Sequence, residues 1–202
     1  MQTKAAPEQY DFFAFLSRMK YISRWGLMRN TMPENIQEHS LDVAMLAHAL
    51  TVIRNRYFKG ELDPGRAALY GIFHDASEIF TGDMPTPVKH FNPDFKRSFH
   101  ELEDRARNKL LAMLPVEMAE DYRSLFFFDQ EYGEYTELVK AADKIAALIK
   151  CIEEEKSGNN EFRRAGAEHL EYLNNSALPE VHFFMDKFIP GYRLSLDELH
   201  LG

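Results

Sequence analysis

Apolar residues recur at helical spacing along almost the whole chain, and no segment alternates apolar and polar residues as a half-buried strand would. Val, Ile and Thr are too dispersed to indicate a sheet. Without an internal repeat or a long linker, we expect one all-α domain over residues 1–202. The pattern predicts helices over residues 8–22, 35–57, 63–80, 94–114, 116–128, 133–157, 160–173 and 178–189.

The predicted helix at 63–80 carries the most informative polar residues. Asp63 and Pro64 are typical of a helix start, and Gly82 is typical of a helix end. His74-Asp75 lies near that end, and Glu78 follows one turn later. An imidazole and two carboxylates at i, i+1 and i+4 on one helix can converge on a metal ion and its bound water. The spacing therefore predicts metal chemistry beside a loop that admits substrate.

Two other predicted helices place a polar residue on an apolar face. His39 begins the stripe of Val43, Leu46, Ala47 and Leu50, and Asp143 lies among Val139, Ala142, Ala146 and Ile149. A buried carboxylate loses several kcal/mol of solvation unless a cation or donors compensate it. Either residue alone is explained by hydrogen bonding in the core, or by pairing of Asp143 with Lys140 or Lys144. Together, the polar residues of the three helices favour one shared metal ion with four ligands: His39, His74, Asp75 and Asp143.

The ligand chemistry narrows the ion and the reaction. Two imidazoles and two carboxylates suit one Co, Mn, Zn, Fe or Cu ion better than Mg or Ca. Such an ion lowers the pKa of its bound water towards about 7 and polarises a phosphoryl oxygen, which are the two needs of phosphate-ester hydrolysis. Glu78 is the candidate catalytic residue for proton transfer. The alternatives for Glu78 are a solvated carboxylate at the helix end or an ion-pair partner of Arg24.

Composition and charge exclude several kinds of partner. The chain has 202 residues, of which 45% are hydrophobic, and a formal net charge of -8. The negative charge argues against a nucleic-acid polymer as partner. No stretch approaches the roughly 18 apolar residues of a membrane span, and the first residues lack a signal-peptide pattern. The single cysteine, Cys151, suits a reducing compartment, so we expect a cytoplasmic protein. Because the charge argues against a nucleic-acid polymer, we expect the partner to be a small molecule.

The order of the candidate ligands, with the residues around them, resembles a known family. A His, a His-Asp pair and a distant Asp are the pattern of the HD-domain phosphohydrolases. The chain is further identified as a member of the bacterial 5'-deoxynucleotidases by segments spread over nearly its whole length. These segments are Leu16–Arg18, Arg24-Trp25, Asn35–Ser40, Phe73–Glu78, Thr81–Lys89, Val139–Asp143 and Gly158–Phe162.

The resemblance implies a helical bundle with the metal site at the junction of three helices, one divalent ion per subunit, and a homodimer. It implies hydrolysis of deoxyribonucleoside 5'-monophosphates to deoxyribonucleosides and phosphate. Two further histidines, His90 and His100, lie where binuclear HD enzymes have ligands, but neither lies in a recognisable ligand motif. We therefore expect a single metal.

The substrate contacts are interpreted with the help of the same resemblance. We expect Arg24 to clamp the phosphate, Trp25 to pack against sugar or base, and Asp83 to accept from the deoxyribose 3'-OH. The remaining predicted substrate-binding residues are Met84, Pro85, Thr86 and the ligands Asp75 and Asp143. The simpler alternatives are a surface Arg beside a loop-anchoring Trp, and a proline-stiffened connector.

Two other functions stay open. One is an HD phosphohydrolase that acts on a cyclic dinucleotide, an alarmone or a nucleoside triphosphate. Such substrates call for more cations than Arg24, Arg29 and Lys89 supply. The other is a non-catalytic helical module with a structural or sensory metal, which would have no need of Glu78.

Overall fold

The computed structural model describes residues 9–89 and 91–199 and, for Thr86, the backbone alone. Within these residues there is no strand, only an isolated antiparallel bridge between Ser23 and Asn35. The all-α prediction is therefore confirmed. The α-helices of the described residues are α1 (Phe12–Leu16), α2 (Ile36–Tyr57), α3 (Pro64–Phe73), α4 (Glu78–Thr81), α5 (Thr86–Lys89), α6 (Pro93–Leu111), α7 (Val116–Phe126), α8 (Phe128–Glu131), α9 (Gly133–Lys156), α10 (Arg163–Asn174) and α11 (Pro179–Lys187).

The ends of the long helices follow from local hydrogen bonding. The Asn35 side chain accepts a hydrogen bond from the backbone N–H of Glu38, and the Glu38 carboxylate accepts one from the backbone N–H of Asn35. This capping box starts α2. Asp63 accepts from the N–H of Gly65 at 2.8 Å and starts α3 at Pro64. After the C-terminal end of α9, Gly158 adopts φ +82°, which lets the chain turn back onto the last carbonyls of the helix.

The continuous helix predicted at 63–80 is wrong. Helix α3 ends at Phe73, a turn covers residues 74–77, and α4 begins at Glu78. Inside this turn the N–H groups of Ala76 and Glu78 bond to carbonyls three residues back instead of four. His74 and Asp75 therefore lie on a tight turn rather than on a helix face.

Other predicted helices also extended beyond the ends of the observed ones. The described part of 8–22 consists of α1 followed by a 3₁₀ helix, Ser17–Tyr21. The helix predicted at 116–128 ends at Phe126, and α8 follows after one residue. Further 3₁₀ segments cover Asn160–Phe162, Ile189–Arg193 and Leu196–Glu198.

Helix α2 packs against both α3 and α9, and α3 also contacts α9. Their buried apolar residues form the larger part of the core, for example Val43, Leu50, Tyr70 and Ile145. A second cluster around Phe12 joins α1, α6 and α7 to the start of α2. No helix of the described chain is long and apolar enough to cross a membrane.

A glycine sets the distance between α2 and α3. A Cβ at Gly71 would lie 2.7 Å from the Cα of Ala44 and 2.8 Å from its nitrogen. Only glycine permits this approach without moving one of the two backbones. The approach brings the end of α3, where His74 lies, against the helix that carries His39.

Candidate active site

Three helices converge on a group of metal-ligand atoms. Ligand atoms of His39 on α2, His74 after α3 and Asp143 on α9 all lie within 4.8 Å of one another. Oδ2 of Asp75 lies 3.0 Å from Nε2 of His74 and 3.6 Å from Nε2 of His39. The structure thus brings the four predicted ligands together, although the turn rather than a helix face presents two of them.

The two imidazoles fit a bound cation. His39 is fully buried, and Nε2 of both His39 and His74 lies close to a carboxylate oxygen but makes no hydrogen bond of suitable geometry among the described residues. Nδ1 of His74 lies 2.8 Å from the carbonyl oxygen of Gly71. A proton on Nδ1 satisfies that carbonyl and leaves Nε2 as a lone-pair donor, which is the usual state of a metal-binding histidine. These orphaned nitrogens, facing two carboxylates, suit the borderline divalent ions.

The electrostatics of the cluster also call for positive charge. Burial lowers the pKa of His74, but Asp75 and Asp143 outweigh it and raise that pKa to about 9. Burial raises the pKa of Asp143, but His39, Lys144 and Arg24 hold it well below its usual range. The carboxylates therefore stay ionised and attract a cation, either a proton or a metal ion.

Asp143 makes both of the contacts that the sequence left open as alternatives, an ion pair with a lysine and a contact within the ligand cluster. Its Oδ2 accepts from Lys144 at 3.0 Å, so the expected lysine partner is real. Its Oδ1 lies 3.1 Å from Nε2 of His39 and faces the cluster. Lys140, the other candidate partner, pairs with Glu137.

Glu78 is neither a solvated carboxylate nor a partner of Arg24. It is 3% exposed, and its Oε1 accepts from Lys89 at 3.0 Å. Its Oε2 is buried without a hydrogen-bond partner in the described part of the chain. Burial and the charge of Asp75 raise the pKa of Glu78 to about 8, against the opposing effect of Lys89. A carboxyl group in this state can hold a proton near neutral pH.

Arg24 and Trp25 lie on a loop that several contacts hold in place. Arg24 is close to two carboxylates, with NH1 3.5 Å from Asp75 and Nε 3.5 Å from Glu34. Trp25 has φ +58°, and its backbone N–H donates to Asp83 at 3.1 Å. The loop thus joins the cluster to the turn after α4.

Further along, the same loop is fixed to α9. The carboxylate of Glu154 accepts from the N–H groups of Thr31 and Met32, from the Thr31 hydroxyl, and from Lys150 and Asn159. These donors hold the pKa of Glu154 far below its usual range, although burial opposes them. The Gly158–Phe162 segment seen in the sequence therefore helps to anchor this loop.

A cavity of about 520 Å³ opens onto the carboxylates of the cluster. Its lining includes Lys144, His169 and many of the residues predicted to bind or transform substrate, whereas His39 and His74 are not among its lining residues. The lining residues that the sequence singled out are Arg24, Trp25, Asp75, Glu78, Asp83, Met84, Pro85 and Asp143.

The side chain of Thr86 and the whole of His90 lie outside the described residues. His100 is exposed and pairs with Glu103.

Sequence reasoning missed several residues near this cavity. His169 lines the cavity and contacts the Trp25 ring edge-on at 6.2 Å between centroids. Glu34 contacts both Arg24 and His39 and directly precedes a recognised motif. Proximity to that motif was the one signal that could have found Glu34. No spacing or composition signal pointed to His169.

Comparison with known proteins decides the family. A family model described as "5'-deoxynucleotidase YfbR-like" matches residues 11–192. The chain belongs to this family. The predicted family and enzyme class, a phosphoric monoester hydrolase, are thereby confirmed.

Curated relatives of this 5'-deoxynucleotidase-family chain match along nearly their whole length. A 5'-deoxynucleotidase of Photorhabdus laumondii is 48% identical, covering 94% of this chain and 96% of the relative. One of Shewanella oneidensis is 49% identical, with 93% and 96% covered. One of Vibrio parahaemolyticus is 46% identical, with 95% and 99% covered.

Solved structures agree on the fold. An HD-domain phosphohydrolase from Listeria innocua has a TM-score of 0.78 at 22% identity, over 90% of this chain and 88% of the other. A cyanophage S-2L HD phosphohydrolase, DatZ, bound to dA and one catalytic Zn²⁺ ion, has a TM-score of 0.62 at 25% identity. That match covers 91% of this chain and 99% of the phage protein.

Proposed function

We propose that this chain hydrolyses deoxyribonucleoside 5'-monophosphates to deoxyribonucleosides and phosphate at the cavity described above. The observation that carries the proposal is the cluster of unpartnered imidazole nitrogens and carboxylates beside a cavity that also holds Arg24 and Glu78. Membership of the 5'-deoxynucleotidase family and the dA and Zn²⁺ bound to the phage relative support the substrate class.

His39, His74, Asp75 and Asp143 would hold one divalent transition-metal ion per subunit, chosen from Co, Mn, Zn, Fe and Cu. When bound, such an ion supplies a water of lowered pKa and neutralises charge on the phosphoryl oxygens. His74 contributes Nε2 because Gly71 takes its Nδ1–H. Asp75 also orients Arg24, whose remaining N–H groups can grip the phosphate bidentately.

Glu78 is proposed to handle the proton. The oxygen that leaves the phosphate as an alkoxide needs a proton, and burial of Glu78, which raises the pKa of its carboxyl group, favours the protonated form that can supply one. Lys89 fixes one carboxylate oxygen, which leaves Oε2 for the exchange. The same carboxylate, once ionised, can take the next proton from water.

Trp25, Asp83, Met84, Pro85 and Thr86 are proposed to enclose the deoxyribose. Oδ2 of Asp83 accepts from Trp25, and we assign its other oxygen to the 3'-OH. Proline in the turn after α4 stiffens this wall, and a stiff wall rejects an added 2'-OH because overpacking a site costs about 1–3 kcal/mol.

The charges of the cavity favour a monoester over a substrate with several phosphates. Two of its cations, Lys89 and Lys144, are already paired with Glu78 and Asp143. Arg29 is exposed and pairs with Glu161. A cyclic dinucleotide, alarmone or triphosphate would therefore meet too little positive charge. An open cavity beside the cluster likewise favours catalysis over a closed structural metal site.

The homodimer and the cytoplasmic location are proposals as well. The family resemblance supports the dimer. The presence of a single cysteine, which can form no intramolecular disulfide, supports a reducing compartment.

Phosphate release from matched 5'- and 3'-deoxynucleotides, after chelation and readdition of single divalent ions, tests the proposal. We expect release from the 5'-esters only, absent after chelation and restored by a borderline ion. Equal hydrolysis of the 3'-esters, faster hydrolysis of a cyclic dinucleotide, or full activity in chelator would contradict it.

A further inference from the structure

One carboxylate, that of Glu34, contacts three of the proposed site residues. Its Oε2 accepts from Nε1 of Trp25 at 3.0 Å and lies 3.5 Å from Nε of Arg24. Its Oε1 lies 3.5 Å from Nδ1 of His39. The Glu34 side chain is 13% exposed, so water competes weakly for these contacts.

The backbone around Glu34 holds this carboxylate in register with the loop. The carbonyl of Glu34 accepts from the N–H of Arg24 at 2.9 Å, and the N–H of Ile36 donates to Ile22 at 3.0 Å. Together with the bridge between Ser23 and Asn35, these bonds align the segment before α2 with the segment that carries Arg24. Glu34 therefore belongs to a fixed piece of backbone.

We propose that Glu34 is a positioning residue that sets the orientation of Arg24, Trp25 and His39 together, and so couples substrate binding to metal binding. The proposal rests on the proposed function for the roles of Arg24 and Trp25. Its metal arm rests on the His39 geometry alone.

When Nε2 of His39 holds the ion, the ring carries its proton on Nδ1, and the negative charge of Glu34 beside that nitrogen stabilises this tautomer. Nε2 then presents its lone pair to the cluster, where Asp143 and Asp75 lie 3.1 and 3.6 Å away. A carboxylate behind a ligating histidine raises the basicity of the ligand and fixes its ring.

At the loop, the same carboxylate selects the directions of two side chains. Nε of Arg24 faces Glu34 and NH1 faces Asp75, so the planar guanidinium is held between two charges. The Trp25 ring is held by its Nε1–H on one side and by Phe162, 5.3 Å away between centroids, on the other.

Glu34→Gln separates this role from simple packing. An amide has nearly the same shape, but it offers one acceptor and one donor in place of two acceptors. Whichever way it turns, its NH₂ group faces either Trp25 Nε1–H or the Nδ1 of His39. In the first case two donors oppose each other. In the second the proton of His39 moves to Nε2 and blocks the metal-facing nitrogen.

We expect Glu34→Gln to weaken Zn²⁺ binding to the apoprotein by about 10- to 100-fold, measured by titration calorimetry. At saturating metal, KM for dAMP should rise by roughly tenfold, since charge-assisted contacts to the loop are lost. The single tryptophan gives one indole N–H resonance, which should move upfield in the variant.

Glu38→Gln is the matched control. Glu38 lies four residues further on, and its carboxylate closes the capping box at Asn35, a task that Gln also performs. This variant should keep the Zn²⁺ affinity, KM and indole resonance of the wild type. Unchanged values in Glu34→Gln, or a change in metal affinity with KM unchanged, would overturn the proposal.

The wild-type protein gives a test that needs no variant. In the Zn²⁺-loaded protein, long-range ¹H–¹⁵N correlation should place the proton of His39 on Nδ1. A proton on Nε2 would overturn the assignment even if Glu34→Gln failed to fold. A chain that binds Zn²⁺ but releases no phosphate from dAMP would refute the proposed function, while the zinc and indole measurements on Glu34→Gln would still decide the role of Glu34.

Discussion

Glu78 is buried within the site. Its Oε1 accepts a hydrogen bond from Lys89, and its Oε2 has no hydrogen-bond partner among the described residues. Glu78→Gln keeps the shape of this side chain and removes its acidity. We expect turnover of dAMP to fall by about 10² to 10⁴, the usual range for general acid–base catalysis, while the metal stays bound and the melting temperature does not fall. Nucleotide affinity should hold, since the amide keeps the shape and the neutral, polar character of the protonated carboxyl group. Near-normal turnover would remove Glu78 from the mechanism, and loss of metal would make it a ligand.

The same carboxyl group makes stability depend on pH in the metal-free protein. Its pKa is about 8 in the folded chain and 4.5 when unperturbed, so the folded state binds the extra proton between these values. Stability from this group is present below pH 4.5 and is lost as pH rises through 8. Glu78→Gln cannot ionise, so its advantage in free energy of unfolding over the wild type should grow from pH 5 to 9. Urea melts that stay parallel across this range would contradict the shift.

At the level of single residues, the sequence pointed to site residues that are polar or charged on an otherwise apolar helix face. His39 and Asp143 stood out because their neighbours at helical spacing are apolar. Glu34 and His169 did not, because each reaches the site through a tertiary contact with the Trp25 loop. No local pattern encodes such contacts.

Among the helices, the contact between α2 and α3 controls the geometry of the cluster. Gly71→Ala would place a methyl group 2.7 Å from the backbone of Ala44, so the helices must separate. We expect a loss of about 1–3 kcal/mol in unfolding free energy, as for other overpacked sites. Metal affinity should fall with it, because His39 and His74 lie on opposite sides of this contact. Gly133→Ala, where nothing lies within 4 Å, is the control and should leave both quantities unchanged or raise stability slightly. Unchanged metal affinity in Gly71→Ala would show that the helix spacing does not set the site.

Helix positions followed from periodicity, but the break between α3 and α4 did not. The sequence of residues 74–80 is compatible with a helix, and it contains no proline or glycine that would mark the turn at 74–77. The turn is stabilised by the His74 contact to the Gly71 carbonyl and by burial of Ala76 and Ser77. Both are properties of the packed molecule, so tertiary structure overrides the local preference here.

Across the molecule, α2, α3 and α9 are joined by one set of ligand atoms. Removal of a single ligand from any of them should therefore empty the same site. We expect His74→Ala and Asp143→Ala each to lose the bound ion in elemental analysis, and the melting temperature of each to stop responding to added metal. Full occupancy in both variants would refute a shared site.

The most direct test of the account is the sugar selectivity of the metal-loaded wild type. On the proposed assignment, residues 83–87 and Trp25 enclose the sugar and exclude a 2'-OH, and exclusion worth about 1–3 kcal/mol corresponds to roughly 5- to 150-fold in rate. We predict that kcat/KM for dAMP exceeds that for AMP by at least about fivefold, and that a ratio of this size holds for the other bases. Equal kcat/KM for dAMP and AMP, measured by phosphate release under the same metal, would contradict the assignment as a 5'-deoxynucleotidase.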